Sequence, residues 1–532
     1  RGIWIASLLS NFGQLIQGVG AAWEMTRLAS SAQMVALVQT AIMLPMMLIS
    51  LPAGAIADMF DRRKVALLGL GFACFSAAVL TALTWTGMLT PWILLGFCFL
   101  IGAGVALYSP AWQASISEQV RPEHLPSAIA LGSISYNVAR SFGPAIGGVI
   151  VATVGAVAAF AANALFYIPL MLAFLRWRSV APPSRLPPER IGRAITSGLR
   201  YAFHSPPIRV VLIRTVVVGL AGSSIAALTP LVAKEVLGGD ANTYGLLLGS
   251  YGVGAVIGAF GIGPVRSLFT PERAARVLAL ISGVSIAMAG MSAHIVLTCA
   301  ALVVAGAAWM LLVAMLNVSV QLSAPRWVTA RTLSCFTCAI TGGLAFGAWG
   351  WGWAAGHLGT SQALLLSGVA FALTPLLGLR NPLPAVTKAE EEPLETPADP
   401  RVNLALTQRS GPIVIEIDYR VDPAMARDYY AIMQKVRGWR LRSGGFQWSL
   451  SRDIADPALW TEQYYCPTWG DYLRQRSRAT QSDRELYAKA DAFHMGSREG
   501  RVRRRLERPF GSVRWRPDTP DPQDETVSIY TP

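Results

Sequence analysis

The side chains with most chemistry to offer stand where charge is otherwise missing. Arg140 falls about halfway along the apolar stretch 126–152. An Arg without a partner at mid-bilayer depth costs several kcal/mol, so it must face an interior cavity or pair with something. Such an Arg can hold an anionic group of a substrate or couple to protonation of a carboxylate; the plainer role is an interhelical bridge. Carboxylates at similar depth are few: Glu24 near the outer end of the first apolar stretch, Asp58 at the inner edge of the second, and Glu235 at the outer end of the seventh. If protons drive a cycle, Glu24 is the available carrier; its plainer role is to cap the stretch at the interface. Neutral hydrogen-bonding groups complete the set: Asn11, Gln14 and Gln17 on the first stretch, Asn137 near Arg140, Asn317 and Gln321 on the tenth. Gln14 and Gln17 lie three apart and share a helix face. These amides serve either as substrate donors or as interhelical glue worth about a kcal/mol.

The sets that carry catalysis are missing from the sequence. Cys335 and Cys338 form a Cys-x-x-Cys without a second pair or a His partner, which reads as small packing residues. No metal cluster, nucleotide loop or Ser/His/Asp set is visible, so the reading assigns no catalytic residue, no metal and no cofactor.

The elements that must position these groups follow from the charge pattern. Of 532 residues, 53% are hydrophobic and 14% charged, with a net charge of +14. Asp, Glu, Lys and Arg are absent from Leu28–Ala57, Val65–Ser117, Ser141–Leu175, Val277–Pro325 and Thr332–Leu379. A membrane-crossing helix needs about 20 apolar residues, so each of the three longest runs fits two crossings joined by a turn. Twelve spans are expected, near 3–26, 33–57, 65–86, 91–113, 126–152, 155–175, 209–233, 242–265, 274–293, 295–321, 329–357 and 360–379. Arg62, Arg63, Lys64, Arg121, Arg266, Arg273, Arg276, Arg326 and the connector 176–208 put the basic residues on one face. By the positive-inside rule that face, and both ends of the membrane unit, are cytoplasmic. The surplus charge is then explained by topology and anionic lipid headgroups, without nucleic acid. Arg1 is not a methionine, and a short preceding piece is expected.

Six spans, a basic connector and six more spans form two fused six-helix halves. At the turn after span two stands Gly54-Ala55-Ile56-Ala57-Asp58-Met59-Phe60-Asp61-Arg62-Arg63-Lys64. Gly54 lets a neighbouring helix approach, and Asp58, one turn on, can pair with Arg62 and face a helix N-terminus. This motif resembles the cytoplasmic signature of the major facilitator superfamily, where such contacts lock the outward-facing state. Gly258, Ile262 and Arg266 echo the spacing without the carboxylate. Span five carries Gly143-Pro144-Ala145-Ile146-Gly147-Gly148, similar to the Gly-Pro signature of the superfamily's exporters. Its glycines allow tight packing, and Pro144 kinks the span; the resemblance adds the antiport direction. Many family exporters keep an Arg in span four, where this chain has Cys98, so Arg140 is expected to take over that role. Trp349, Trp351 and Trp353 read as interfacial anchors.

After Arg380 the composition changes. Residues 381–412 form an acidic, Pro-rich linker. From Ile413 the order of expected elements is βαββαβ, a ferredoxin-like order: a strand at 413–419, a helix from Asp422 to Arg437, strands at 444–450 and 459–465, helix over 468–493 and a strand near Arg508. Trp460-Thr461-Glu462-Gln463-Tyr464-Tyr465, Trp469-Gly470-Asp471-Tyr472-Leu473-Arg474-Gln475 and Arg478-Ala479-Thr480-Gln481-Ser482-Asp483 resemble the C-terminal extension of transmembrane secretion effectors, a group related to the enterobactin exporter. That extension is similar to the dimeric α/β barrels of antibiotic-biosynthesis monooxygenases. The group's usual His at two positions is replaced by Tyr472 and Arg476, which argues against enzymatic chemistry. The stretch is therefore read as a folded but non-catalytic sensor, docking or dimerisation module. The basic run Arg498 to Arg508 suits a membrane surface or a solvated face.

The sequence is thus expected to encode an all-α membrane protein of major facilitator fold with a C-terminal soluble α+β domain. Its divisions are six-helix halves at 1–175 and 209–380, the connector 176–208, the linker 381–412, the ferredoxin-like domain 413–516 and a tail 517–532. The resemblance implies an exporter of a small organic molecule (siderophore, drug or metabolite) in the inner membrane, with protons as the coupling partner. The rival is a membrane-anchored enzyme or sensor acting through the C-terminal domain.

Overall fold

In a computed structural model the described residues are 2–29, 31–120, 124–177, 191–325, 328–383, 400, 402–404, 406–477, 481–496 and 501–507. Arg121, Arg326, most of the 381–412 linker, the run 498–500, Arg508 and the tail lie outside them, as does the side chain of Asp58. The chain forms two compact units: residues 1–195, 210–320 and 333–385, and residues 196–209, 321–332 and 386–532.

In the first unit the long helices are α1 (Gly2–Leu28), α2 (Ala32–Met59), α3 (Arg62–Trp85), α4 (Pro91–Gln119), α5 (Leu125–Thr153) and α6 (Ala156–Arg176). After α7 (Ile191–His204) come α8 (Pro206–Leu231), α9 (Ala241–Leu268), α10 (Pro271–Met291), α11 (Ile295–Leu322), α12 (Thr329–Leu358), α13 (Thr360–Leu373) and the short α14 (Leu377–Arg380). Among the described residues ten of these helices are long and apolar enough to cross a membrane. The ten do not include α1 and α5. Those two carry Asn11, Gln14, Gln17, Glu24 and Arg27, and Asn137 and Arg140, and polar side chains lower mean hydropathy.

Short linkers and caps set the helix ends. Asp61 caps α3 by accepting the Arg63 N–H at 2.9 Å, and Asp240 caps α9 by accepting the Thr243 N–H at 3.0 Å. Within the bundle, close approach depends on small residues. A Cβ at Gly69 would lie 2.9 Å from the Gly104 carbonyl, joining α3 to α4, and one at Gly283 would lie 2.5 Å from the Gly368 carbonyl, joining α10 to α13. Between apolar helices in lipid, packing of this kind replaces the hydrophobic drive.

The second unit is built on a four-stranded antiparallel sheet. Its strands are β1 (Ile413–Arg420), β2 (Phe446–Arg452), β3 (Leu459–Cys466) and β4 (Val502–Leu506), in the order β2-β3-β1-β4. Ile415 pairs with Tyr464 on one side and Arg504 on the other. Alternation sends Ile413, Ile415, Ile417 and Tyr419 into the core, where Tyr429, Met433 and Val436 of α15 (Ala426–Arg442) meet them. α16 (Trp469–Ser477) and α17 (Gln481–Asp491) precede β4. The helix expected over 422–437 runs on to Arg442, preceded by a 3-10 turn that Asp422 caps. Tyr201 of α7 also belongs to this unit, with the Arg442 guanidinium 5.3 Å above its ring.

Candidate functional site

Call the end of the bundle where α1 finishes and α2 begins the distal end, and the other the proximal end. The polar row of α1 fans out to three helices. Asn11 Nδ2 donates to Ser135 Oγ of α5 at 3.1 Å, and Gln14 Nε2 donates to the Tyr108 hydroxyl of α4 at 2.7 Å. Asn163 of α6 donates to Gln17 Oε1. Gln14 and Gln17, three apart in sequence and on one helix face, engage different neighbours because α4 and α6 both pack beside that face. Ser135, Tyr108 and Asn163 were not singled out from the sequence. Tyr108 and Asn163 sit in apolar runs, and Ser135 lies two residues before Asn137 with nothing in the sequence to pair it with Asn11.

Arg140 lies where α5 crosses α9. Its guanidinium carbon stands 5.7 Å from the centroid of the Tyr251 ring. Gly252, the next residue, brings the α9 backbone so close that a Cβ there would lie 2.5 Å from the Arg140 carbonyl. Ser141 Oγ donates to the Gly252 carbonyl at 3.2 Å. A cation over an aromatic ring is worth about 0.5–2 kcal/mol, less than the several kcal/mol that burial of an Arg in lipid costs. Among the described residues no carboxylate forms an ion pair with Arg140. Asn137, one turn away, is half-buried and its carbonyl accepts from Ser141 Oγ. Glu24 sits elsewhere, near the distal end, paired with Arg27 at 3.1 Å. On α11, Asn317 is half-buried and Gln321 is exposed.

The Gly-Pro segment of α5 faces two ways. Gly143 and Gly147 meet α1: a Cβ at Gly147 would lie 3.1 Å from Ile16 Cα. Gly148 meets α9, where a Cβ would lie 2.7 Å from Gly245 Cα, with the Pro144 carbonyl 2.9 Å from a Cβ at Gly245. The sequence reading saw the α5 half of this seam and missed its counterpart, Gly245, Gly249 and Gly252. Their spacing was the available signal. A second seam joins α2 to α12. Thr40 Oγ1 donates to the Ala345 carbonyl at 2.9 Å, Cys338 Sγ donates to the Met47 carbonyl at 3.2 Å, and a Cβ at Gly54 would lie 3.5 Å from Ser334 Oγ. Cys338 is therefore a packing residue between helices of the two sequence halves. At the distal end Trp23 stacks on Tyr244 at 6.2 Å, and Lys234, in a π-helical turn at Val232–Val236, donates to the Thr26 carbonyl.

The paired arginines of the α2–α3 turn cap carbonyls. Arg62 Nη1 donates to the Ala114 carbonyl at 3.0 Å, and Arg63 Nη2 to the Leu175 carbonyl at 2.6 Å, tying α3 to α4 and α6 at the proximal end. In the second half Glu272 accepts from Arg214 at 2.8 Å, Arg276 at 2.9 Å and the Leu383 N–H at 2.9 Å. Both halves fasten their third helix to the end of their sixth.

A family model described as transmembrane secretion effector, within the major facilitator superfamily, matches residues 1–510. The chain belongs to that family. Among curated proteins it is 25% identical to the staphyloferrin A transporter of Staphylococcus aureus over 47% of the chain and 63% of that protein. It is 27% identical to the multidrug efflux pump Tap of Mycobacterium tuberculosis, over 39% of the chain and 51% of the pump. The match thus spans about half to two thirds of these relatives. Among solved structures a D-xylose–proton symporter aligns with a TM-score of 0.58 at 13% identity, covering 71% of the chain and 97% of the symporter. A bacterial homologue of the lysosomal transporter Spinster, in an inward-facing conformation, aligns at 0.57 and 13%, covering 71% and 97%. The membrane unit of this secretion effector has the major facilitator fold, and the family is one of small-molecule transporters.

The C-terminal unit holds a second concentration of buried charge. Arg440 donates to both oxygens of Glu462, at 2.9 and 3.1 Å, and the pair is almost fully buried. Burial works against the Arg440 charge, but Glu462 outweighs it and holds the guanidinium well above its usual range. Burial pushes the Cys466 thiol up to about 12. Tyr472, at a position where the resemblance expected His, is buried and accepts from Arg504 Nε at 2.7 Å.

Proposed function

We propose that this protein exports a small organic molecule by alternating access, with an anionic group of the cargo engaged near Arg140. The carrying observation is the placement of Arg140. It is a cation at mid-helix, over the ring of Tyr251, at the crossing of α5 and α9 and thus at the seam between the two sequence halves. A group that sits on the moving seam changes its surroundings with every cycle, which is what coupling of binding to motion requires. The same reading adds α1 and α5, the first and fifth spans, to the ten to make twelve, and takes the six-helix halves as 1–175 and 209–380 and the connector face as cytoplasmic in the inner membrane. Proton antiport through Glu24 and an Asp58–Arg62 latch complete it. The distal contacts of Trp23, Lys234 and Gly148 then describe a state shut on the outside.

The C-terminal unit is read as a non-catalytic ferredoxin-like module, with dimerisation as one of its roles. Its strand order and antiparallel pairing support that name. The enterobactin-exporter grouping is part of the same reading.

Cells carrying Arg140→Ala should accumulate the exported compound inside to the level of cells lacking the protein, with the variant still inserted at normal abundance. Arg140→Lys should restore only part of the export, because it keeps the charge and loses the planar fork. Untargeted metabolite comparison of the strains reads the outcome. Export at the normal rate by Arg140→Ala would end the proposal.

A further inference from the structure

The second sequence half holds a small cavity of about 20 Å³ near its proximal end, room for one guest the size of a water or a halide. Val218 of α8, Ala279 of α10 and Leu312 of α11 give it apolar walls, and Pro375, in the 3-10 turn Thr374–Leu376 between α13 and α14, completes the lining. Arg214 of α8 also lies on the lining and is only 7% exposed. Its Nη1 stands 2.8 Å from Glu272, and its Nη2 donates to the Asn381 carbonyl at 2.7 Å. Its Nε–H is buried with no acceptor among the described residues. A buried donor of this kind is costly unless something accepts from it.

The charge around the cavity does not balance. Glu272 serves two guanidinium groups, since Arg276, also on the lining, donates to it at 2.9 Å. Between residues 210 and 383 the acidic residues are Glu235, Asp240 and Glu272, and the first two stand at the distal end, around the start of α9. Arg266, Arg273 and Arg380, at the proximal ends of α9, α10 and α14, add to the surplus. A water molecule needs two to four polar partners, and these walls are mostly apolar. The Thr374 hydroxyl already donates to the Phe371 carbonyl at 2.8 Å. A halide needs only donors, and its charge offsets the second guanidinium.

We propose that this cavity is a binding site for a single small monovalent anion of the halide class, accepting from the Arg214 Nε–H. Carboxylate and phosphate groups are too large for it. The occupied site ties α8, α10, α11 and the turn after α13 together at the proximal end of the second half. None of these residues belongs to the Arg140 site, so the two proposals stand or fall separately.

The test is thermal melting of the full-length protein in nanodiscs while sodium chloride replaces sodium gluconate at constant ionic strength. An anion held by the folded state alone raises the melting temperature along a saturating curve, and a general salt effect does not saturate. Saturation is expected with chloride, and chlorine NMR of the same sample should show line broadening that bromide removes. Arg214→Lys keeps the charge beside Glu272 and lacks the Nε–H, so it should bind chloride about tenfold more weakly. Ala279→Leu, which fills the cavity, should abolish the saturable rise, and gel filtration checks that each variant is folded. Arg140→Gln should respond to chloride as the parent does. The proposal is overturned if the rise does not saturate, if folded Ala279→Leu or Arg214→Lys responds as the parent does, or if Arg140→Gln abolishes the response.

Discussion

Gly148→Ala tests whether the α5–α9 seam governs opening. The new Cβ would lie 2.7 Å from both the Ala241 carbonyl oxygen and Gly245 Cα. Carbon atoms prefer about 3.5–4.0 Å, so α5 and α9 must part by about 1 Å to accept the methyl. Overpacking of this size costs about 1–3 kcal/mol. The gain in helix propensity, about 1 kcal/mol for Gly to Ala, is common to the closed and open states and cancels between them. The seam should therefore lose about 1–3 kcal/mol of preference for the closed form, a shift of about 5- to 150-fold. Ala145 packs against Gly249 on the same seam, where a Cβ at Gly249 would lie 3.3 Å from Ala145 Cβ. Ala145→Cys, in a background without the six native cysteines, reports the opening through its rate of labelling by a membrane-impermeant maleimide. Gly132→Ala on the same helix is the control, since a Cβ there meets nothing within 4 Å. Gly245→Ala should raise labelling as Gly148→Ala does, and the pair should not add, because helices already parted accept the second methyl at lower cost. Labelling no faster than in the Gly132→Ala control, with the protein folded, would refute the reasoning.

Three further outcomes follow from buried polar groups. Asn163→Ala should lower membrane-unit stability by about 1–2 kcal/mol, read as melting in detergent, because Gln17 Oε1 loses its donor in an apolar setting; Gln17→Leu added to it should recover part of the loss. Glu462→Gln should destabilise the C-terminal unit by about 3–5 kcal/mol by stranding the Arg440 charge, read by limited proteolysis of the full chain. Arg440→Met with Glu462→Leu should recover stability, and equal protease resistance of Glu462→Gln and parent would count against the pair. The Cys466 thiol, raised by burial from 9.0 to about 12, keeps its proton in the folded state while an unfolded chain releases it first. Its contribution to stability is full below pH 9 and lost as pH rises toward 12. Iodoacetamide at about pH 8 should reach Cys466 only after unfolding, and rapid alkylation of the folded protein would contradict this burial.

Much of the architecture was legible because it follows from one-dimensional rules. Charge-free runs locate the long helices, since an ion in lipid has no water to offset its desolvation, and the change of composition after Arg380 separates them from the stretch that forms the sheet. The alternation of Ile413, Ile415 and Ile417 marked a strand with a buried face, and that strand is one of the two inner strands of the sheet. The Gly-Pro segment of α5 could be recognised as a packing surface, and Arg140 as an anomaly that needs a reason.

What the tertiary structure decided is which surfaces meet. Helical period places Gln14 and Gln17 on neighbouring positions, yet only the packing of α4 and α6 sends them to Tyr108 and Asn163. Gly148 could have faced any helix; its partner Gly245 lies 97 positions along the chain in the other sequence half, and no local pattern links the two. Tyr251 under Arg140, the Lys234 contact with Thr26 and the Arg440–Glu462 pair have the same origin. A sequence states the solvent each segment prefers, because that is a sum over its own residues. The neighbour of a side chain is fixed by how whole helices and strands fill space together, a property that no single segment contains.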